Sequence, residues 1–174
     1  MLFRSVLSHG DRLALADSVT LRVIHTPGHA SNHLCYLLEE EKLLFTGDHL
    51  MQGSTVVINP PDGDMRAYLK ALEDLLVMEL DWLAPGHGFL IDQPHSVVRK
   101  TIAHRLAREA KVLAALDGAG PERSLLEPEL LARVYADTPT KLHAMALRSL
   151  RAHLDKLVAE GRVAARDGQW QRLA

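Results

Sequence analysis

Ten histidines occur among the 174 residues, and three short glycine-containing segments hold the side chains best suited to chemistry. The segments TPGH, TGDH and PGHG place His29, Asp48 and His87 on tight turns. Imidazole and carboxylate groups are ligands that suit a borderline cation such as zinc. Any one such turn is a weak signal, because short motifs recur freely in proteins. The three segments together, in this order, predict a metal site.

Predicted β-strands precede all three segments, so a sheet can position them. Alternating or continuous apolar runs predict strands at 21–25, 34–38, 42–46, 56–58 and 82–84. A helix with one apolar face is predicted at 65–79, with Asp64 as its N-cap. A rigid sheet can aim side chains from several strand ends at one point. The order of elements indicates a layered α/β domain.

After residue 95 the pattern becomes helical. Helices are predicted at 97–116, 127–136 and 140–160, with a linker at Gly120-Pro121 between the first two. Asp167-Gly168 between two short alternating runs predicts a β-hairpin. Helices followed by such a hairpin are typical of a winged helix-turn-helix. We therefore predict an α/β domain over 1–117 and a winged-helix domain over 118–174.

The charge distribution and the single cysteine indicate which ligands and which cellular setting suit the protein. Residues 1–95 hold 6 Lys/Arg and 13 Asp/Glu, a balance of −7, whereas residues 96–174 hold 14 and 9, a balance of +5. The acidic half suits metal binding, and the basic half could attract phosphate or an acidic partner. The single cysteine, Cys35, is predicted to be a buried strand thiol, which favours a reducing, cytoplasmic setting. No apolar run is long enough to cross a membrane, and the first residues lack a secretory signal.

The sequence resembles the metallo-β-lactamase superfamily. TPGH, GDH and PGHG match three of its motifs in order. The resemblance extends to the β-lactamase-like protein 2 group through SNHLCY at 31–36, GDM at 63–65 with Tyr68, HR at 104–105, RE at 108–109, and the C-terminal winged helix. Members of that group include single-strand endoribonucleases, and the wider superfamily hydrolyses thioesters, lactams and phosphodiesters.

This resemblance implies the fold, the reaction and the residue roles. The expected fold is part of an αββα metallo-β-lactamase sandwich followed by an all-α winged helix-turn-helix with a β-hairpin wing. His29 is then expected to bind one metal, His87 the other, and Asp48 to bridge them as the catalytic carboxylate. Zinc is the expected metal, with iron and manganese as alternatives. The metals would activate a hydroxide to attack an ester, a thioester or an RNA phosphodiester.

The superfamily's first motif, His-x-His-x-Asp-His, does not occur in these 174 residues. We therefore expect this chain to correspond to the downstream half of the metallo-β-lactamase domain, to bind zinc weakly and to have impaired or no activity alone. Three explanations stay open: a gene start assigned too late, a deliberate truncation, or a missing half supplied by another chain.

Three further histidines are candidates to orient a metal ligand or to contact the substrate: His33, His49 and His104. A packing role is the alternative for His33, and for His104 the alternative is to tie the long helix to the core.

A second hypothesis assigns the function to the winged helix. The chain would then be a non-catalytic module that binds nucleic acid or protein, with a vestigial metal site. The third predicted helix and the wing carry basic side chains that could bind an acidic partner: Lys141, Arg148, Arg151, Lys156, Arg162 and Arg166. Acidic neighbours dilute this patch, which disfavours sequence-specific DNA binding and leaves contact with single-stranded RNA, or structural cover, as its roles. The expected partners are a small ester or thioester or single-stranded RNA, no membrane, and a second copy of the chain through the exposed partial sheet.

Overall fold

The computed structural model describes residues 6–119 and 124–173, and its first part is built on one sheet. The strands follow one another in sequence order: β1 (Arg12–Ala16), β2 (Val19–His25), β3 (Leu34–Leu38), β4 (Leu43–Gly47) and β5 (Trp82–Pro85). β1 to β4 pair antiparallel, and β5 pairs parallel to β4. Helix α1 (Met65–Leu75) lies in the crossover that a parallel pair requires.

Most predicted strands are confirmed, and one prediction is wrong. The segment 56–58 is not a strand, although Val56 and Ile58 are buried. Side chains take up its carbonyl groups instead of a neighbouring strand: Arg105 donates to the carbonyl of Val56, and His29 donates to that of Val57. Strand β1 was not predicted, because its leucines and alanines have little β-propensity and its side chains are mostly exposed.

Helix α1 begins where the sequence predicts and ends earlier. The amide of Ala67 donates to Asp64 Oδ1 at 2.9 Å, so Asp64 is the predicted N-cap. The helix stops at Leu75 and not at residue 79, since the amide of Leu76 already bonds back to Glu73 at the shorter three-residue spacing. Its apolar face is buried, including Tyr68 and Leu72.

The two faces of the sheet differ in cover. One face is buried in the hydrophobic core that also contains α1 residues and includes Ile24, Cys35, Leu37, Leu44 and Leu83. The register places a second apolar set on the opposite face: Leu13, Leu21, Val23, Tyr36, Leu38, Leu43, Phe45 and Trp82. Phe45 and Trp82 are 41% and 43% exposed there. We call this second face the open face. In the part of the chain that the structure describes it is only partly covered: Val23 is fully buried there, and the remaining side chains of the set are half-buried.

The second part is the predicted winged helix. It is formed by the end of α2 (Pro94–Asp117), β6 (Leu125–Leu126), α3 (Glu127–Val134), α4 (His143–Ala159), β7 (Val163–Arg166) and β8 (Gln169–Arg172), with β6, β8 and β7 in one sheet. Asp167 and Gly168 both have positive φ, 52° and 76°, as a two-residue hairpin turn requires. A short 3₁₀ turn over Thr140–Leu142 replaces the first turn of the predicted third helix. The fold class is confirmed as a mixed α/β sheet with helices followed by a winged helix.

The predicted domain boundary at residue 117/118 stays a prediction, and the predicted linker Gly120-Pro121 lies outside the described residues. Helix α2 contributes to both cores, with Val98 in the first and Val112 and Leu116 in the second. No helix in the described residues has the length and apolarity needed to cross a membrane.

A buried polar cluster joins α2 to the winged helix. Glu109 of α2 is 5% exposed and accepts from Lys156 Nζ at 2.8 Å and from Arg162 Nη1 at 3.0 Å. His153 of α4 is fully buried, with Nδ1 4.0 Å from Glu109 Oε2. Neither ring nitrogen of His153 has a hydrogen-bond partner among the described residues.

His153 should make the protein less stable in mild acid. Burial, followed by the charges of Arg105 and Lys156, lowers the pKa of His153 from 6.5 to about 3. Between these values the unfolded chain binds a proton that the folded chain does not, so stability falls as pH is lowered through this window, by up to about 1.4 kcal/mol per pH unit from this group. Urea unfolding at pH 7.5 and 5.0 measures the loss. A His153→Met variant should show a smaller loss, and an unchanged loss would contradict this assignment.

Candidate metal centre

Asp48 and His87 meet at one end of the sheet because β4 and β5 run parallel. Asp48 follows β4 directly, His87 follows β5, and the ends of neighbouring parallel strands lie side by side. His87 Nε2 lies 3.3 Å from Asp48 Oδ1, and both side chains are well exposed. The amide of Gly86 donates to the carbonyl of Gly47 at 2.9 Å, and a Cβ at Gly86 would lie 3.2 Å from that carbonyl group. Glycine at 86 therefore allows the close approach of the two loops.

His29 reaches the same region from the loop after β2. Its Nδ1 lies 2.8 Å from the carbonyl oxygen of Val57, so Nδ1 carries the proton and donates it there. This bond fixes the ring and leaves Nε2 as the nitrogen free to bind a cation. A carbonyl that accepts from the other ring nitrogen is the usual partner of a metal-binding histidine.

His33 lies between the other candidates. Its Nδ1 is 2.8 Å from Thr26 Oγ1, and its ring centre is 6.4 Å from that of His29 and 5.9 Å from that of His49. Burial first, and then the charge of His29, lowers the pKa of His33, whereas Asp48 acts to raise it. His33 thus shares one electrostatic environment with His29 and Asp48.

His49 is fully buried, in contrast to its neighbour Asp48. Burial lowers the pKa of His49 to about 3, with further lowering by His33 and His29, so the ring is neutral. Its carbonyl accepts from the hydroxyl of Tyr68 at 2.9 Å, and the two rings make an edge contact at 5.1 Å. This contact connects the turn that carries Asp48 to helix α1. His104 is an exposed residue of α2 and takes no part in these ring contacts.

The residues fit a metal in type but do not form a complete ligand set. Within residues 6–119 and 124–173 no three His, Cys, Asp or Glu side chains form a group that could hold a metal ion. Asp48 and His87 are in contact, and His29 is oriented separately by Val57. The convergence of all three on a single cation pocket therefore stays a prediction.

Sequence reasoning missed the groups that hold the site in place. The carbonyl of Val57 lies 28 residues beyond the histidine that it orients. Arg105, from α2, holds the neighbouring carbonyl of Val56, and its guanidinium lies 5.4 Å from the centre of the Tyr68 ring. Main-chain acceptors have no sequence signature. The HR pair at 104–105 was the only available signal for Arg105.

Ion pairs neutralise half of the cations that we predicted as a basic patch on the winged helix. Arg151 pairs with Glu127 at 2.7 Å, Lys156 with Glu109 and Glu160, and Arg162 with the same two carboxylates. Lys141, Arg148 and Arg166 form no ion pair among the described residues, so the basic patch holds half of the free positive charge that the sequence predicts.

Comparisons with known proteins agree with this fold. The family profile described as metallo-beta-lactamase superfamily matches residues 3–87, and that of the beta-lactamase associated winged helix domain matches residues 127–170. A beta-lactamase-like protein 2 homolog of Caenorhabditis elegans is 31% identical over 145 residues, which cover 83% of this chain and 47% of that protein. The homolog of Drosophila melanogaster is 32% identical over 157 residues, which cover 90% and 51%.

Two further relatives extend the comparison. An atrochrysone carboxyl ACP thioesterase of Paecilomyces divaricatus is 30% identical over 177 residues, which cover 95% of this chain and 55% of that protein. The crystal structure of a metallo-beta-lactamase family protein from Thermus thermophilus superposes with a TM-score of 0.81 at 26% identity, over 96% of this chain and 54% of that one. This chain thus spans about half the length of the curated relatives it matches. With motifs, sheet and winged helix all in agreement, the chain belongs to the metallo-β-lactamase superfamily.

Proposed function

We propose that this chain is part of a metal-dependent hydrolase and that His29, Asp48 and His87 are its share of the metal ligands. The contact of His87 Nε2 with Asp48 Oδ1, at the shared end of two parallel strands, is the observation that carries the proposal. Superfamily membership supports hydrolysis as the reaction class.

Each residue has a distinct part in this proposal. His29 and His87 would hold different ions and Asp48 would lie between them, with zinc as the expected metal and iron or manganese as alternatives. A bound metal supplies a Lewis acid and a water of lowered pKa. The carbonyl of Val57 keeps Nδ1 of His29 protonated and Nε2 available. In this proposal Asp48 would also accept a hydrogen bond from the attacking water.

The proposed substrates are a small ester or thioester, or single-stranded RNA. The thioesterase name of one relative supports a thioester, and the resemblance to the β-lactamase-like protein 2 group supports an RNA phosphodiester. We further propose that this chain alone is impaired or inactive, because its described residues do not bring three ligand side chains together. A reducing, cytoplasmic setting is also proposed, since Cys35 is a free, buried thiol.

An assay of two proteins tests the proposed function. One is the 174-residue chain, and the other is the same chain extended upstream to include a His-x-His-x-Asp-His motif. We expect the extended protein to bind about two metal equivalents and to cleave a thioester or RNA, with loss of cleavage in its His87→Ala variant. Absence of cleavage of esters, thioesters and RNA by the extended, metal-loaded protein would contradict the proposal.

The second candidate function is a binding module with a vestigial metal site. The incomplete ligand set favours it, whereas the ion pairs on the winged helix disfavour nucleic acid as the ligand. This candidate requires salt-sensitive binding of nucleic acid that His87→Ala leaves unchanged. Binding that is lost in the His87→Ala variant would favour the hydrolase.

We also propose that the chain self-associates through the open face. Exposed apolar side chains on a sheet face favour association, and Phe45 and Trp82 are exposed on this one. Static light scattering should show species larger than a monomer, and Phe45→Ser should shift the population towards monomer. Val77→Ser is the matched control, because Val77 is 86% exposed after α1, outside the strands of this face. A clean monomer for the unmodified chain would contradict the proposal.

A further inference from the structure

We propose that a groove between the loop at 51–57 and helix α2 binds a phosphoryl group carried by the substrate. We call it the α2 groove and define it by Thr55, Lys100, His104, Arg105, Arg108 and Ser149. The inference rests on the proposed function, because it assigns a substrate-binding role to a surface next to the candidate metal centre.

Two adjoining cavities make up the α2 groove. Their volumes are about 210 and 520 Å³, and both are lined by Thr55 and His104. Four basic side chains line them, and neither cavity has an aspartate or a glutamate in its lining. Hydroxyl groups complete the polar lining, including those of Thr55 and Ser149. A concave surface with cations, hydroxyls and no carboxylates suits an anion.

Arg105 is the strongest indication that the groove binds an anion. Its side chain is buried, with 4% of the residue exposed, and it donates to the carbonyl of Val56. Among the described residues its Nε has no hydrogen-bond partner, and no carboxylate forms an ion pair with it. The glutamate one turn further along α2, Glu109, is already engaged by Lys156 and Arg162. A buried cation without a counter-charge is costly, and a phosphoryl oxygen would supply that charge.

The other cations of the groove differ in how far ion pairs and hydrogen bonds compensate their charge. Arg108 donates to Asp137 at 2.8 Å and to the carbonyl of Val134 at 2.7 Å, so its charge is partly compensated. Lys100 is exposed and forms no ion pair within the described residues. Burial and the charges of Arg105 and Arg108 lower the pKa of His104, which agrees with positive potential in the groove. Lys100, His104 and Arg108 follow at four-residue steps, about 6 Å apart along the helix.

The α2 groove adjoins the candidate metal centre through Val57. Val57 lines the groove, and its carbonyl is the group that orients His29. A phosphoryl group in the groove would therefore lie beside the candidate metal centre and not within it. Both a nucleotide and the phosphopantetheine arm of an acyl-carrier thioester offer a phosphoryl group on a flexible chain, and these are the two sources to distinguish.

Calorimetric titration of the metal-free chain, in EDTA and at low salt, tests the proposal without any need for hydrolysis. Inorganic phosphate should bind saturably, and the double variant Lys100→Gln/His104→Gln should weaken binding by about tenfold. Arg99→Gln is the matched control, because Arg99 is an exposed cation of α2 that does not line either cavity, and it should change affinity by less than about twofold. Arg105→Lys keeps the buried charge but loses the planar fork, and it should also weaken binding if it stays folded by circular dichroism.

The outcomes separate this inference from the proposed function. Tighter binding of a nucleoside 5′-monophosphate than of phosphate supports the groove with a nucleotide as the source, and tighter binding of pantetheine 4′-phosphate supports it with a carrier thioester. No saturable binding of any of the three by the folded chain would overturn the inference, as would an equal loss in Arg99→Gln. If the chain binds phosphate but its extended form shows no hydrolysis, the anion-binding role of the α2 groove is supported and the proposed hydrolase function is contradicted.

Discussion

Replacement of Gly28 by alanine should lower the free energy of unfolding by about 3 kcal/mol or more. A Cβ at residue 28 would lie 2.4 Å from the Cα and Cβ of Tyr68 and 2.5 Å from its amide nitrogen. These are atoms of helix α1, which cannot move aside as the end of a flexible side chain can. Residue 28 also has φ +131°, a conformation that other residues rarely adopt. The turn that delivers His29 therefore requires glycine.

Urea unfolding of Gly28→Ala and of a matched control measures this effect. Gly10→Ala is the control, because Gly10 has φ +90° and no atom within 4 Å of an added Cβ. It carries the backbone strain without the clash, so it should lose only about 1–2 kcal/mol. Equal losses of unfolding free energy in the two variants would show that the close contact of the turn with α1 does not contribute to the effect.

The second large effect is expected at Glu109, between α2 and the winged helix. Glu109→Gln should destabilise the protein by about 3 kcal/mol, because it removes the buried carboxylate shared by Lys156 and Arg162 and leaves only the more exposed Glu160 to pair with them. The side chain of Lys156 is only 10% exposed, so water cannot replace the lost carboxylate well. Arg162 is 41% exposed and should contribute less to the loss.

Glu160 provides the comparison for Glu109. It pairs with the same two cations, at 2.7 and 3.2 Å, but its side chain is 29% exposed. Glu160→Gln should therefore lose no more than about 1 kcal/mol. Chemical denaturation of both variants at pH 7.5 makes the test. Losses of similar size would contradict the expectation that burial makes the ion pairs of Glu109 more stabilising than those of Glu160.

Local sequence patterns predicted the elements with a strong signal. β2, β3 and β5 are continuous or alternating apolar runs that end at turn residues, and Asp167-Gly168 specifies its hairpin through two positive φ angles. β1 was missed because its leucines and alanines have little β-propensity and its side chains are mostly exposed. The prediction of a strand at 56–58 was wrong because a buried apolar run is also compatible with a loop. Here the side chains of His29 and Arg105 donate to the carbonyl groups, and no neighbouring strand in the described part of the chain pairs with them.

The candidate site was predictable only where strand order decides the geometry. Asp48 and His87 come together because both follow parallel neighbours, and the sequence placed each at a strand end. The contacts of His29 with Val57 and of Arg105 with Val56 depend on a loop between strand and helix. Such contacts are set by tertiary packing, so no spacing in the sequence could indicate them.

Zinc titration of the full chain tests the proposed metal centre most directly. The unmodified chain should bind zinc weakly but saturably, and His29→Ala, Asp48→Asn and His87→Ala should each weaken binding by about tenfold or more. His143→Ala should bind as the unmodified chain does, because His143 bonds to the carbonyl of Thr138 at the start of α4, away from the sheet. If the chain binds no zinc, or if all four variants bind alike, His29, Asp48 and His87 do not form a common metal centre.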